Sequence, residues 1–169
     1  MPNKVTVSDA ALRQAAEEGM DAFVDIFVDA INASVGGELT AETMAQLNAS
    51  QITLLAYRIL RDEVMDGGFI QLIHNGYGGF IFLNPFAKMV KQWGIIELGR
   101  LVSKVHSNYK KYHEEIEKDC TDEEFMSLFE QFPVFDDFDD TFVEHEEEWT
   151  AAIAQYIDEH IEEFAEIVN

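Results

Sequence analysis

Apolar residues recur at helical spacing along most of this chain, and capping residues and glycines divide the pattern into segments. Leu12, Ala16, Gly19, Phe23, Ile26, Phe27, Ala30 and Ile31 share one face of a first helix, which Ser8 or Asp9 can cap and Gly36 with Gly37 can stop. Thr40 caps a short second helix through Leu47. Ser50 opens a third, whose apolar face is Leu54, Leu55, Ile59, Leu60 and Val64. Gly67 and Gly68 interrupt it, and Phe69 to His74 adds a turn or two before the glycine-rich stretch Asn75, Gly76, Tyr77, Gly78, Gly79.

Asn84 ahead of Pro85 reads as a cap and a first-turn proline, starting a helix to about Trp93. Gly94 is a joint, after which Ile95 to about Lys118 forms a longer helix. Thr121 and Glu124 have capping-box spacing, and the helix they open runs to about Gln131, where Pro133 breaks it. A last helix from roughly Thr141 to Ile167 is expected to bury Trp149, Ile153, Tyr156, Ile157, Phe164 and Val168. Strand-like alternation has one candidate, Phe80 to Leu83, and no internal repeat stands out. The pattern predicts an all-α fold, a single-domain helical bundle of about six to eight helices with interrupted helices at Gly67/Gly68 and Gly94. At 169 residues the chain reads as one domain, residues 1–169, with enough length to bury a core.

Charge is distributed far less evenly than the apolar pattern. Residues 114–169 hold 21 Asp and Glu against the single Lys118, whereas residues 1–113 hold 12 acids against 10 bases. Such a one-sided field acts over about the Debye length, roughly 8 Å in physiological salt, and favours a basic partner. Adaptation to high salt would spread acid over the whole surface, which the nearly neutral first two-thirds do not show. Direct binding to nucleic acid or to anionic lipid is disfavoured, and no run approaches the roughly 18 apolar residues of a membrane span. The lone Cys120 cannot form an internal disulfide and no leader pattern opens the sequence, so the expected setting is the reducing cytoplasm.

The acidic segment is expected to be folded, because six phenylalanines thread it at 125, 129, 132, 135, 138 and 142, in steps of three and four. Burying a Phe contributes roughly 1.5–3 kcal/mol, so even partial burial of six offsets charge repulsion. Fifty-six residues folded as two antiparallel helical pieces span about 42 Å, which places one net charge per roughly 2 Å, close to duplex DNA at one per about 1.7 Å.

Catalytic and metal patterns are missing. No His follows a Glu by three residues, there is no His-Glu-x-x-His, and no Cys pair exists for zinc. His106 and His113 read as surface or packing residues. Asp137, Asp139, Thr141, His145 and Glu148 imitate ligand positions of a calcium loop, but Phe142 stands where the sharp turn needs Gly. Cys120, between Asp119 and Asp122, sits in a field that raises its thiol pKa. No cofactor or metal is expected, and the chain does not read as an enzyme.

The stretch Glu63, Val64, Met65, Asp66, Gly67, Gly68, Phe69, Ile70, Gln71, Leu72, Ile73, His74, Asn75 resembles the signature of the bacterial DNA-mimic protein family. Asp66 stands where that signature has Asn, and Leu72 where it has an aromatic residue. The resemblance implies an all-helical homodimer whose acidic surface imitates duplex phosphates and occupies the DNA-binding face of a basic protein such as a transcription regulator. Within the signature, Glu63, Gly67, Gly68, Phe69, Gln71 and Asn75 read as a structural joint, with glycines permitting a tight backbone and amides bonding it. The acids expected to meet the partner's Arg and Lys are Asp136, Asp137, Asp139, Asp140, Glu144, Glu147, Glu148, Asp158, Glu159, Glu162, Glu163 and Glu166. The alternatives are a generic acidic adaptor or immunity-type interaction module, distinguished by weak salt dependence and no competition from DNA, and a small metal-dependent enzyme, distinguished by bound metal.

Overall fold

Helix accounts for 78% of the chain, in a computed structural model that describes residues 4–169. Packing groups the residues into two compact units, one made of the chain up to Leu55 with Glu147–Asn169, the other of Ala56–Glu146. Two helices, α4 (Ala49–His74) and α9 (Asp136–Glu159), contribute to both.

The first unit contains α1 (Asp9–Glu18), α2 (Met20–Ser34), α3 (Ala41–Met44), the start of α4, the second part of α9 and α10 (Ile161–Phe164). Ser8 caps α1 by accepting the Ala11 amide at 3.1 Å. The single first helix expected from the apolar face is two helices, because Gly19 adopts φ 128° and ψ 178° and the face resumes on its far side. Periodicity is blind to such a break when the stripe stays in phase. Ser50 does not open α4. Asn48 does, accepting the Gln51 amide at 2.8 Å while Gln51 accepts the Asn48 amide at 3.0 Å, a reciprocal capping box. Phe27, Ile31, Leu54, Ile153, Ile157 and Phe164 are fully buried here. The last helix starts earlier and stops sooner than expected, and Glu166–Val168 (β2) instead pairs in parallel with Thr6–Ser8 (β1), Val7 opposite Ile167. Val168 is consequently exposed and Tyr156 half-buried. Three-residue strands carry no alternation long enough to read.

The second unit contains the rest of α4, α5 (Gly78–Phe82), α6 (Phe86–Gln92), α7 (Ile96–Ile116), α8 (Asp122–Gln131), a 3-10 turn at Pro133–Phe135 and the start of α9. The strand candidate Phe80–Leu83 is helical through Phe82. Asn84 does not cap α6; its side-chain amide donates back to the Phe80 carbonyl at 2.9 Å, closing α5. Thr121 does cap α8, accepting the Glu124 amide at 3.2 Å. The interruptions at Gly67/Gly68 and Gly94 are both present. Of the phenylalanine seam, Phe132, Phe135 and Phe142 are buried and Phe125, Phe129 and Phe138 half-buried. Phe125 packs edge-on against Phe129 at 5.5 Å, and Tyr112 packs on Phe132 at 5.2 Å. The acidic segment is ordered structure held by these rings.

Candidate interaction surface

The joint in α4 is built around two glycines that no other residue could replace without movement. Gly68 has φ 76° and ψ −176°, a region essentially closed to residues with a Cβ, and a Cβ there would lie 2.4 Å from Asp139 Oδ2. The kink frees the Phe69 amide from its intrahelical partner, and Asp139 Oδ1 accepts it at 2.8 Å. A Cβ on Gly67 would lie 2.0 Å from Gln71 Oε1, so the Gln71 side chain folds over that glycine. From there Gln71 donates to Glu63 at 2.7 Å and to Asp66 at 2.9 Å, and Asn75 donates to Glu63 at 3.1 Å. The signature residues thus form one hydrogen-bonded corner, with Phe69 buried beneath it.

That corner takes one carboxylate away from the solvent. Burial pushes the Asp139 carboxyl up to about 7, with Asp136 and Asp140 adding to the rise and the Phe69 amide opposing it. Around it in the second unit, Asp136, Asp137, Asp140 and Glu144 are exposed. At 100° per residue these four fall within about a 100° arc of α9. Along the axis they span about 12 Å, a mean of one charge per about 4 Å, a density comparable with that of one DNA strand, although the steps between them are uneven. Glu146, by contrast, is buried against Arg61 at 2.6 Å.

In the first unit Glu147, Glu148, Asp158, Glu159 and Glu162 are exposed. Glu147 with Asp158, and Glu148 with Glu159, lie three helical turns apart and so share faces of α9. Glu163 is held internally. It accepts the Ser50 hydroxyl at 2.6 Å and the Tyr156 hydroxyl at 3.1 Å, and burial together with this bond pushes the tyrosine up to about 12. Glu166 is exposed but paired with Lys4 at 2.7 Å. Nine of the twelve acids are therefore exposed with no ion pair among the described residues, Glu159 accepting only the neighbouring Gln155 amide at 3.1 Å, while Asp139, Glu163 and Glu166 are tied to Phe69, Ser50 and Lys4. Glu114, Glu115, Glu117, Asp119, Asp122, Glu123, Glu124 and Glu130, outside the expected set, are exposed as well. They are eight of the 21 acids of residues 114–169.

The histidines serve packing. His74, His145 and His160 donate from Nδ1 to the carbonyls of Ile116, Thr141 and Tyr156, His106 stacks on Phe82, and His113 stacks on Tyr109 and bonds Glu117. The calcium-like string from Asp137 to Glu148 lies wholly within α9, so helical geometry distributes it around the axis instead of closing it on an ion. No three His, Cys, Asp or Glu side chains converge as a metal site among the described residues. Desolvation raises the Cys120 thiol pKa, with Glu124, Asp119 and Asp122 adding to it, which keeps the thiolate scarce.

These features define a class, an all-helical protein that displays ordered carboxylates on helix faces. The chain belongs to the family of DMP19-like proteins, whose family model matches residues 45–160. It is 34% identical over 127 residues to DNA mimic protein DMP19 of Neisseria meningitidis serogroup B (strain ATCC BAA-335 / MC58), covering 75% of this chain and 77% of that relative. The matched span includes the glycine corner and all of α9, and leaves Glu162, Glu163 and Glu166 outside it.

Proposed function

We propose that this protein is a non-enzymatic DNA mimic whose exposed carboxylates occupy the DNA-binding face of a basic protein such as a transcription regulator. The observation that carries the reading is the α9 arc of Asp136, Asp137, Asp140 and Glu144, exposed together on one face of the helix in a segment ordered by buried phenylalanines. The Neisseria relative is a DNA mimic protein by name, which supports it. Carboxylates are acceptors only, as phosphates are, so Arg and Lys that hold one can hold the other. Glu147, Glu148, Asp158, Glu159 and Glu162 extend the charge in the other unit. Asp139, Glu163 and Glu166 support the fold in this reading and contribute little to the contact. The protein acts in the cytoplasm as a homodimer, where its DNA-binding partner works. No helix among the described residues is long and apolar enough to cross a membrane.

The test is affinity capture of a basic protein from the native lysate followed by elution with duplex DNA. Asp136, Asp137 and Asp140 replaced by Asn together with Glu144→Gln should weaken capture steeply while leaving the circular-dichroism spectrum unchanged, and the wild-type interaction should weaken with salt. A partner that holds this protein and its DNA at once would make the acidic adaptor the better account.

A further inference from the structure

The six cations of residues 84–111 face only one acid, Glu97, so this stretch carries +5 while the rest of the chain carries −27. It comprises α6, α7 and their joint, all in the second unit. Of the five cations elsewhere, Lys4, Arg13, Arg58 and Arg61 each pair with a carboxylate, and Lys118 has no ion pair among the described residues. Within 84–111 Arg100 takes Glu97, and among the described residues Lys88, Lys91, Lys104, Lys110 and Lys111 have no ion pair. Lys88, Lys91 and Lys104 have no acid within four residues in sequence, whereas Lys110 and Lys111 have Glu114 and Glu115 one helical turn away, so the part of this hairpin holding Lys88 and Lys91 is free of neighbouring carboxylates in sequence.

Two of these lysines line an open surface groove. A groove of about 540 Å³ between α6 and α7 is bordered by Asn84, Pro85, Lys88, Lys91, Gln92 and Ser103. Gly99, buried on α7, lies against Lys91 and Ala87, two of the lining residues. A Cβ there would lie 2.4 Å from Lys91 Cγ and 2.8 Å from the Ala87 carbonyl, so the missing side chain is what lets the Lys91 stem lie across α7. The stem is thereby held by packing, while its ammonium remains uncommitted. Two ammonium groups one helical turn apart, a hydroxyl and side-chain amides supply donors. Pro85, Ala87 and the lysine stems supply an apolar floor.

We infer that this groove is a phosphate-binding site, with the phosphate group between Lys88 and Lys91 and the Ser103 hydroxyl donating to it. The phosphate is either free or carried on a small organic body that rests on Pro85 and Ala87. Such a site is independent of the acidic surface and survives failure of the mimic reading.

The experiment titrates inorganic phosphate and adenosine monophosphate separately into 15N-labelled protein at constant ionic strength. Saturable shifts confined to amides of residues 84–104 are expected. Tighter binding of the nucleotide assigns an organic phosphate, and equal binding assigns the free ion. Lys88→Gln with Lys91→Gln removes two charge-assisted bonds and should weaken binding roughly tenfold or more. Lys110→Gln with Lys111→Gln removes the same charge elsewhere on α7 and should change it by less than about threefold. Equal weakening by both pairs would reduce the effect to ionic atmosphere and overturn the site. So would shifts that fail to saturate, or shifts that follow protein concentration instead of ligand, which would put a second copy's acidic surface in the groove.

Discussion

Asp139→Asn should make this protein more stable at pH 8 and leave it nearly unchanged at pH 4. In the fold the carboxyl titrates near 7 against 3.8 for the ordinary group, chiefly because the α4 corner desolvates it. The folded state therefore holds a proton that the unfolded chain has released between pH 4 and 7. Stability falls as pH rises through that window, and the full cost is present above 7. At 1.36 kcal/mol per tenfold, the bound is about 4 kcal/mol. The group is only partly buried, so screening reduces the expected gain to about 1–2 kcal/mol at pH 8. Asn keeps an oxygen for the Phe69 amide, now at 2.8 Å from Oδ1, and carries no charge to bury. Urea denaturation of both proteins at pH 4 and pH 8 measures the effect as the difference in midpoint at unchanged slope, so titration of the remaining 32 acids cancels. A variant less stable at pH 8 than at pH 4 relative to wild type would refute the reasoning, because it would mean that ionised Asp139 is a net stabilising acceptor.

Phe135 is fully buried and Phe129 only half-buried. Phe135→Ala should therefore cost about 3–5 kcal/mol by urea denaturation, with Phe129→Ala clearly less costly; equal losses would mean that the seam is not packed as described. Gly68→Ala must leave its backbone region and displace Asp139, and should lose at least about 1–3 kcal/mol in the same assay, whereas an unchanged midpoint would show that the kink is dispensable.

Most helices were legible because their signals are local. Ser8, Thr40 and Thr121 cap where polar residues precede an apolar stripe, and Gly67/Gly68 and Gly94 interrupt where the stripe does. Asn48 was missed in favour of Ser50 because both are good caps two residues apart, and the choice depends on Gln51 closing the box from the other side. Asn84 shows the reverse, a residue with every credential for an N-cap that turns back to serve the preceding helix. Short apolar runs such as Phe80 to Leu83 carry no period of their own, so burial against α7, where Phe82 meets Tyr109 at 4.9 Å, decides for helix.

The acidic region is legible in the sequence, while which of its carboxylates stay exposed is not, for a physical reason. Glu162 and Glu163 are identical neighbours in sequence, as are Asp139 and Asp140, yet one of each pair is tied into the fold and the other is free. What separates them lies far along the chain, in Ser50 for Glu163 and in Phe69 for Asp139, and no local pattern encodes it. Charge count therefore overstates the carboxylates available to a partner. Glu146 and Glu166 are spent on Arg61 and Lys4, and Asp139 is only partly ionised near neutral pH. If phosphate imitation depends on spacing as well as on total charge, neutralising the four free acids of the α9 arc should outweigh neutralising four of the committed ones, although both remove charge from the same segment.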